Sequence, residues 1–67
     1  MHITLNNRPE TIEKESLTIE QILIYKNYTF KMMVVKINGK LIKKGHYAEA
    51  RVTDGDDVQI IHLISGG

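Results

Sequence analysis

At 67 residues the chain holds a single domain, and one this small buries only about 60% of the surface its unfolded form exposes, too little to surround an ordinary active-site cleft. Nine Lys and Arg stand against eight Asp and Glu, so no large field of one sign exists to hold nucleic acid or a membrane surface. Cysteine is absent, which excludes disulfides, thiolate metal sites and thiol nucleophiles.

The opening Met1-His2-Ile3-Thr4-Leu5-Asn6 has no basic stretch followed by a long apolar one, so it does not read as a signal peptide. No apolar run reaches the length of a membrane span. The expectation is a soluble cytoplasmic protein, monomeric when free. Ile3 and Leu5 alternate with polar neighbours, the period of a half-buried strand. Asn6-Asn7-Arg8-Pro9 predicts a turn, and Thr11-Ile12-Glu13 a short returning strand. Thr18 and Gln21 have the spacing of a capping box, with Leu17 and Ile22 placed as a hydrophobic staple. Ile19, Ile22 and Leu23 then form one apolar stripe of a helix running to Lys26 or Asn27.

Val34-Val35-Lys36-Ile37 is a β-branched strand signal, and Asn38-Gly39 supplies the two positive-φ positions of a type I′ hairpin. Leu41-Ile42 returns, and Lys43-Lys44-Gly45 breaks the strand. His46 to Val52 predicts a short connection containing a helical turn, anchored by Tyr47 and Val52. Asp54-Gly55-Asp56 is a tight turn, and Val58 to Ile64 the last strand. One amphipathic helix across one face of a small sheet buries both apolar surfaces. The result is an α+β domain over residues 1–64 followed by a thin Ser65-Gly66-Gly67 tail. Glycine has no Cβ, so this tail could thread a narrow tunnel and present its carboxylate to a reagent.

This order of elements resembles the β-grasp, ubiquitin-like fold: a small mixed sheet, one main helix across one face and a short helical turn. More closely it resembles the ThiS family of bacterial and archaeal sulfur carriers. The matching residues are Ile3-Thr4-Leu5-Asn6, the capped helix at Thr18 to Leu23, Val35-Lys36-Ile37-Asn38-Gly39, Leu41-Ile42, Tyr47, Asp54-Gly55-Asp56 and the closing Gly66-Gly67. Two positions depart from the pattern: Lys43 stands where members often carry Pro, and Tyr47 where the aromatic is often Trp.

The resemblance implies a protein co-substrate rather than an enzyme. An adenylating enzyme related to ubiquitin-activating enzymes (ThiF-like) would use ATP and Mg²⁺ to activate the carboxylate of Gly67. A cysteine desulfurase or related donor would then supply sulfur, giving a thiocarboxylate. A thiazole synthase (ThiG-like) would take that sulfur into the thiazole ring of thiamine. Other acceptors for such a carrier are molybdopterin, cysteine or homocysteine synthesis, and the same tail would suit a protein modifier. No cofactor is implied as a permanent resident.

Other residues invite sharper roles than their patterns support. Ser65 has no base at a defined spacing and reads as a small residue that keeps the tail thin. His2, His46 and His62 lie on separate elements without ligand spacing, so a metal site is not expected. Asp54, Asp56 and Asp57 fit a turn and lack the calcium-loop pattern. Lys40, Lys43 and Lys44 form a local basic patch, read as a solvated loop. In the last strand Val58, Ile60 and Ile64 share one parity while Ile61 and Leu63 share the other. With one helix to cover the sheet, Ile61 and Leu63 are expected to face a partner.

Overall fold

Strand β1, His2–Leu5, turns Ile3 and Leu5 inward and His2 and Thr4 outward. The computed structural model describes residues 1–64; Ser65, Gly66 and Gly67, with the expected tail, lie outside the described residues. Asn6 and Asn7 both take positive φ, 51° and 67°, which makes a two-residue hairpin turn. Strand β2, Arg8–Thr11, follows at once. The sequence reading placed a four-residue turn here and the strand at residues 11–13. Pro9 misled it: the residue sits in the strand, opposite Thr4. β2 is an edge strand, and there a missing N–H costs no ladder bond.

A second small sheet, which the sequence did not announce, pairs β3 (Ser16–Thr18) with β6 (Arg51–Thr53). Leu17 and Val52 lie directly opposite each other in it, and both are buried. Helix α1, Ile19–Tyr25, starts at the expected cap. Thr18 Oγ1 accepts from Gln21 N at 3.2 Å, and Gln21 Oε1 accepts from Thr18 N at 2.9 Å. Such a cap is worth about 1 kcal/mol. The helix ends with Asn27 at φ 57°. Tyr28 N donates to Leu23 O and Asn27 N to Ile24 O, the paired bonds of a Schellman motif. Ile19 and Ile22 are fully buried, whereas Ile24 and Tyr25 face solvent.

Strands β4 (Met33–Ile37) and β5 (Lys40–Ile42) are joined by Asn38-Gly39, both with positive φ as the sequence predicts. A 3-10 turn covers Lys44–His46, earlier than the expected one, and Gly45 sits inside it rather than breaking the chain before it. Tyr47 and Val52 pack on the core as anticipated. Strand β7, Asp57–His62, begins one residue earlier and ends two residues earlier than expected. Its partner runs out: Met33, the first residue of β4, pairs with His62, so no ladder remains for Ile64, which is 84% exposed.

The main sheet has the order β2-β1-β7-β4-β5, with β1 and β7 parallel and the other pairs antiparallel. The helix face of this mixed sheet, α1 and the β3–β6 pair enclose one core that includes Ile3, Leu5, Ile12, Ile22, Val35, Val58 and Ile60. This is a β-grasp fold, with one main helix and a five-stranded mixed sheet.

The Asp54-Gly55-Asp56 turn fastens distant parts together. His2 N donates to Asp54 Oδ1 at 2.7 Å, and Gly55 N donates to His2 O. Asp56 accepts from Thr53 N at 2.9 Å and from Asn38 Nδ2 at 3.0 Å. These donors hold the Asp56 carboxyl below its ordinary value of 3.8, the Thr53 backbone N–H most of all. The unfolded chain therefore binds this proton more readily. The group's stabilisation is present above its unfolded value and drains away as pH falls through the lower folded one. Between neutral pH and about pH 2, the native protein should lose more resistance to urea than Asp56→Asn loses. Parallel losses in the two proteins would show that the clasp carries no charge-dependent stability.

Candidate functional site

β7 is the strand that carries the chain toward its end, and the fold grips it on both sides. Val58 and Ile60 are buried in the core that includes Ile19 and Ile22 of α1. On one side, β4 pairs with it from Ile37↔Val58 to Met33↔His62. On the other, β1 ends at Leu5, and the Asn6 side chain continues the ladder. Asn6 Oδ1 accepts from Ile60 N at 2.8 Å, and Asn6 Nδ2 donates to Ile60 O at 3.1 Å.

The last residue of β7 has a further clamp that local pattern gave no reason to expect. The His62 ring stacks on Phe30 with centroids 4.2 Å apart and planes 9° from parallel. Phe30 in turn stacks on Tyr28 at 5.2 Å. Leu63 N donates to Met32 O at 3.0 Å. The segment between α1 and β4 thus fixes the chain up to Leu63, two residues before the expected tail.

Among the described residues no helix lies over the outer face of the sheet. Ile61 lies there directly opposite Val34, and Lys36 lies opposite both Gln59 and Leu41. Ile61 is 47% exposed, Leu41 57% and Leu63 41%. Ile61 and Leu63 are therefore both accessible, as their parity implied. They do not continue one strand face, because β7 stops at His62. Leu63 instead lines a shallow depression with Met32, Met33, Lys44 and Tyr47. Ile64, expected to share the buried parity of Val58, is exposed for the same reason.

The histidines are kept apart. His2 Nδ1 lies 3.1 Å from Thr11 Oγ1, His46 Nδ1 lies 3.9 Å from Glu49, and His62 is in the aromatic stack. Among the described residues no cluster of His, Asp or Glu could hold a metal ion. Asp54 and Asp56 use their oxygens on backbone N–H groups, a turn-forming role. Among those residues, too, no helix is long and apolar enough to cross a membrane. Of the two departures noted in the sequence, Lys43 precedes the 3-10 turn, and Tyr47 O accepts from Glu20 N.

Comparison with known proteins gives this arrangement a family. The ThiS family model matches residues 3–67. The sulfur carrier protein ThiS of Bacillus subtilis is 29% identical over 65 residues, covering 97% of this chain and 98% of its own. A crystal structure of the thiamine biosynthesis protein ThiS from Geobacter metallireducens superposes with a TM-score of 0.89 at 28% identity, covering 100% of both chains. A solution structure of a thiamine biosynthesis protein from the same organism gives 0.80 at 28% identity, covering 100% of this chain and 88% of that one. With the β-grasp core, the two-residue Asn hairpins and the Asp-Gly-Asp turn all in place, the chain belongs to the ThiS family of sulfur carriers, within the ubiquitin-like MoaD/ThiS superfamily.

Proposed function

We propose that this carrier works through the carboxylate of Gly67, which becomes an acyl-adenylate and then a thiocarboxylate. The observation that carries the reading is the family match running through the diglycine, a few residues beyond a strand that is paired on both sides. A carboxylate is a poor electrophile. Attack of a Gly67 carboxylate oxygen on the α-phosphate of ATP releases pyrophosphate and leaves AMP as a good leaving group on the acyl carbon. Sulfur then displaces AMP: sulfide gives the thiocarboxylate directly, whereas a desulfurase persulfide gives an acyl disulfide that thiols reduce to the thiocarboxylate, forming a disulfide of their own. The product carries sulfur on the chain terminus, where a synthase can reach it. The chain has no cysteine, so it has no thiol of its own to hold the sulfur. Ser65 and Gly66 keep the approach thin.

The ATP and Mg²⁺ belong to the activating enzyme, and the acceptor is a thiazole synthase in thiamine formation. The thiamine assignment is supported by the two similar Geobacter metallireducens structures, both of thiamine biosynthesis proteins. Intact mass of the protein from its native host, grown without thiamine, is the direct test. The expected species is heavier by one sulfur-for-oxygen exchange, with the change confined to the C-terminal peptide. An unmodified C-terminal peptide in cells that are making thiamine would overturn the reading.

Docking of the activating enzyme is placed on the outer face, around Ile61, with Leu63 at its margin. Both side chains are accessible, so replacing either by Asp should change stability by no more than about 0.5 kcal/mol. Ile61→Asp and Leu63→Asp should each weaken the complex with the activating enzyme about tenfold or more, since a carboxylate would be desolvated in the contact. Unchanged affinity in both variants, measured by calorimetry, would remove this face from the interface. Unfolding of either would show that the residue serves the core.

A further inference from the structure

We propose that the groove along the free edge of β5 receives an extended acidic segment of a partner protein, added to the sheet as one more strand. The sheet has two edges, β2 and β5, and they are not equivalent. In a two-residue hairpin the pair next to the turn is hydrogen-bonded and the next pair is not, so every second residue turns its N–H and C=O outward. In β2 the outward positions are Pro9, which has no N–H to offer, and Thr11 at the end of the strand. In β5 the outward position is Leu41, opposite Lys36. Among the described residues no backbone bond beyond the β4 ladder reaches Leu41. One edge is interrupted by a proline and the other is open.

The open edge borders a groove of about 840 Å³. Ile42 and Ala50 contribute apolar surface to it, while Lys40, Lys43, His46 and Arg51 bring basic groups. Asp56 is the one carboxylate in the lining, and its oxygens already accept from Thr53 N and Asn38 Nδ2. The charge is regional. From Lys31 to Arg51 the chain carries six cations (Lys31, Lys36, Lys40, Lys43, Lys44 and Arg51) against Glu49 alone, although the net charge of the whole chain is +1. Two copies pairing through this edge would set lysines against lysines, which disfavours self-association. An incoming strand with alternating apolar and acidic residues fits instead. Its backbone meets the Leu41 amide and carbonyl, its acidic side chains meet the lysines, and its apolar side chains meet the groove.

The test is a titration of the isotopically labelled full chain with a synthetic peptide of alternating Val and Glu, beside a control in which Lys replaces Glu. No ATP or activating enzyme is involved, so a failure here leaves the carrier reading standing. Expected are shifts confined to residues 38–46 and 50–51, and exchange of the Leu41 amide slowed about tenfold or more at saturation. Lys40→Glu with Lys43→Glu should weaken binding about tenfold, the scale of two reversed exposed ion pairs. A peptide N-methylated at alternate amides, which leaves the protein untouched, should lose binding altogether. Equal binding of the lysine peptide overturns the proposal. So do shifts centred on Ile61, a dimer of this chain in place of the complex, or binding without protection of Leu41, which would mark a plain anion patch.

Discussion

Ile22→Ala is expected to lower the melting temperature by about 10–25 °C, while Ile24→Ala, two residues along the same helix, barely moves it. Ile22 is fully buried and Ile24 is 75% exposed. The chemistry removed is identical, so the contrast isolates burial. Truncating a buried Ile to Ala costs about 2–5 kcal/mol, because the cavity is only partly filled by relaxation. A domain of this size has only about 3–10 kcal/mol of stability in total. Ile22 also packs in the one core that α1 shares with Leu5, Val35 and Val58, so no second core can take up the loss. Ile22→Val should lose far less, about 0.5–1.5 kcal/mol. Thermal unfolding followed by circular dichroism decides the matter. Equal losses from the Ile22 and Ile24 truncations would mean that α1 does not bury the face assigned to it.

The parts of this fold that could be read from sequence are those fixed by neighbours a few residues apart. Thr18 and Gln21 satisfy each other's backbone across one helical turn, and Asn38-Gly39 solves a turn with two residues. Ile61 showed its exposure through parity alone, since one helix cannot cover both faces of a sheet. The parts that could not be read depend on distant partners. Ser16 and Arg51 are 35 positions apart, yet Arg51 Nη1 donates to Ser16 Oγ at 2.9 Å beside the β3–β6 ladder. Three residues per strand are too few to show a period. Pro9 looked like a turn residue because its chemistry allows both roles, and only the sheet order shows that it stands on an edge. Leu63 and Ile64 looked like strand because they are apolar, but β4 begins at Met33 and gives them nothing to pair with. The stack of Tyr28, Phe30 and His62 joins residues more than thirty positions apart, beyond the reach of any local pattern. Of the candidate site, the surroundings of β7 are now described, while Ser65, Gly66 and Gly67 lie outside the described residues.

Adding one alanine after Gly67 is expected to abolish activation while leaving folding and docking unchanged. The argument is steric and follows from the proposed chemistry. An acyl-adenylate forms only when the carboxylate meets the α-phosphate of ATP in line with the departing pyrophosphate. One further residue moves that carboxylate by about 3.5 Å along an extended chain. A displacement of about 1 Å from the reactive geometry can already cost about a hundredfold in rate. The fold limits how far the displacement can be absorbed. β7 is bonded to β4 as far as His62, Leu63 is bonded to Met32, and the His62 ring is held by Phe30, so the strand cannot slide back. The new Cβ would also widen a tail proposed to thread a narrow channel. The assay is ATP–pyrophosphate exchange with the cognate activating enzyme, with binding measured in parallel and the intact mass checked for trimming of the added residue. The extended protein should bind with native affinity and exchange at least about a thousandfold more slowly. Native exchange rates from an untrimmed extended chain would show that the carboxylate of Gly67 is not the reacting group.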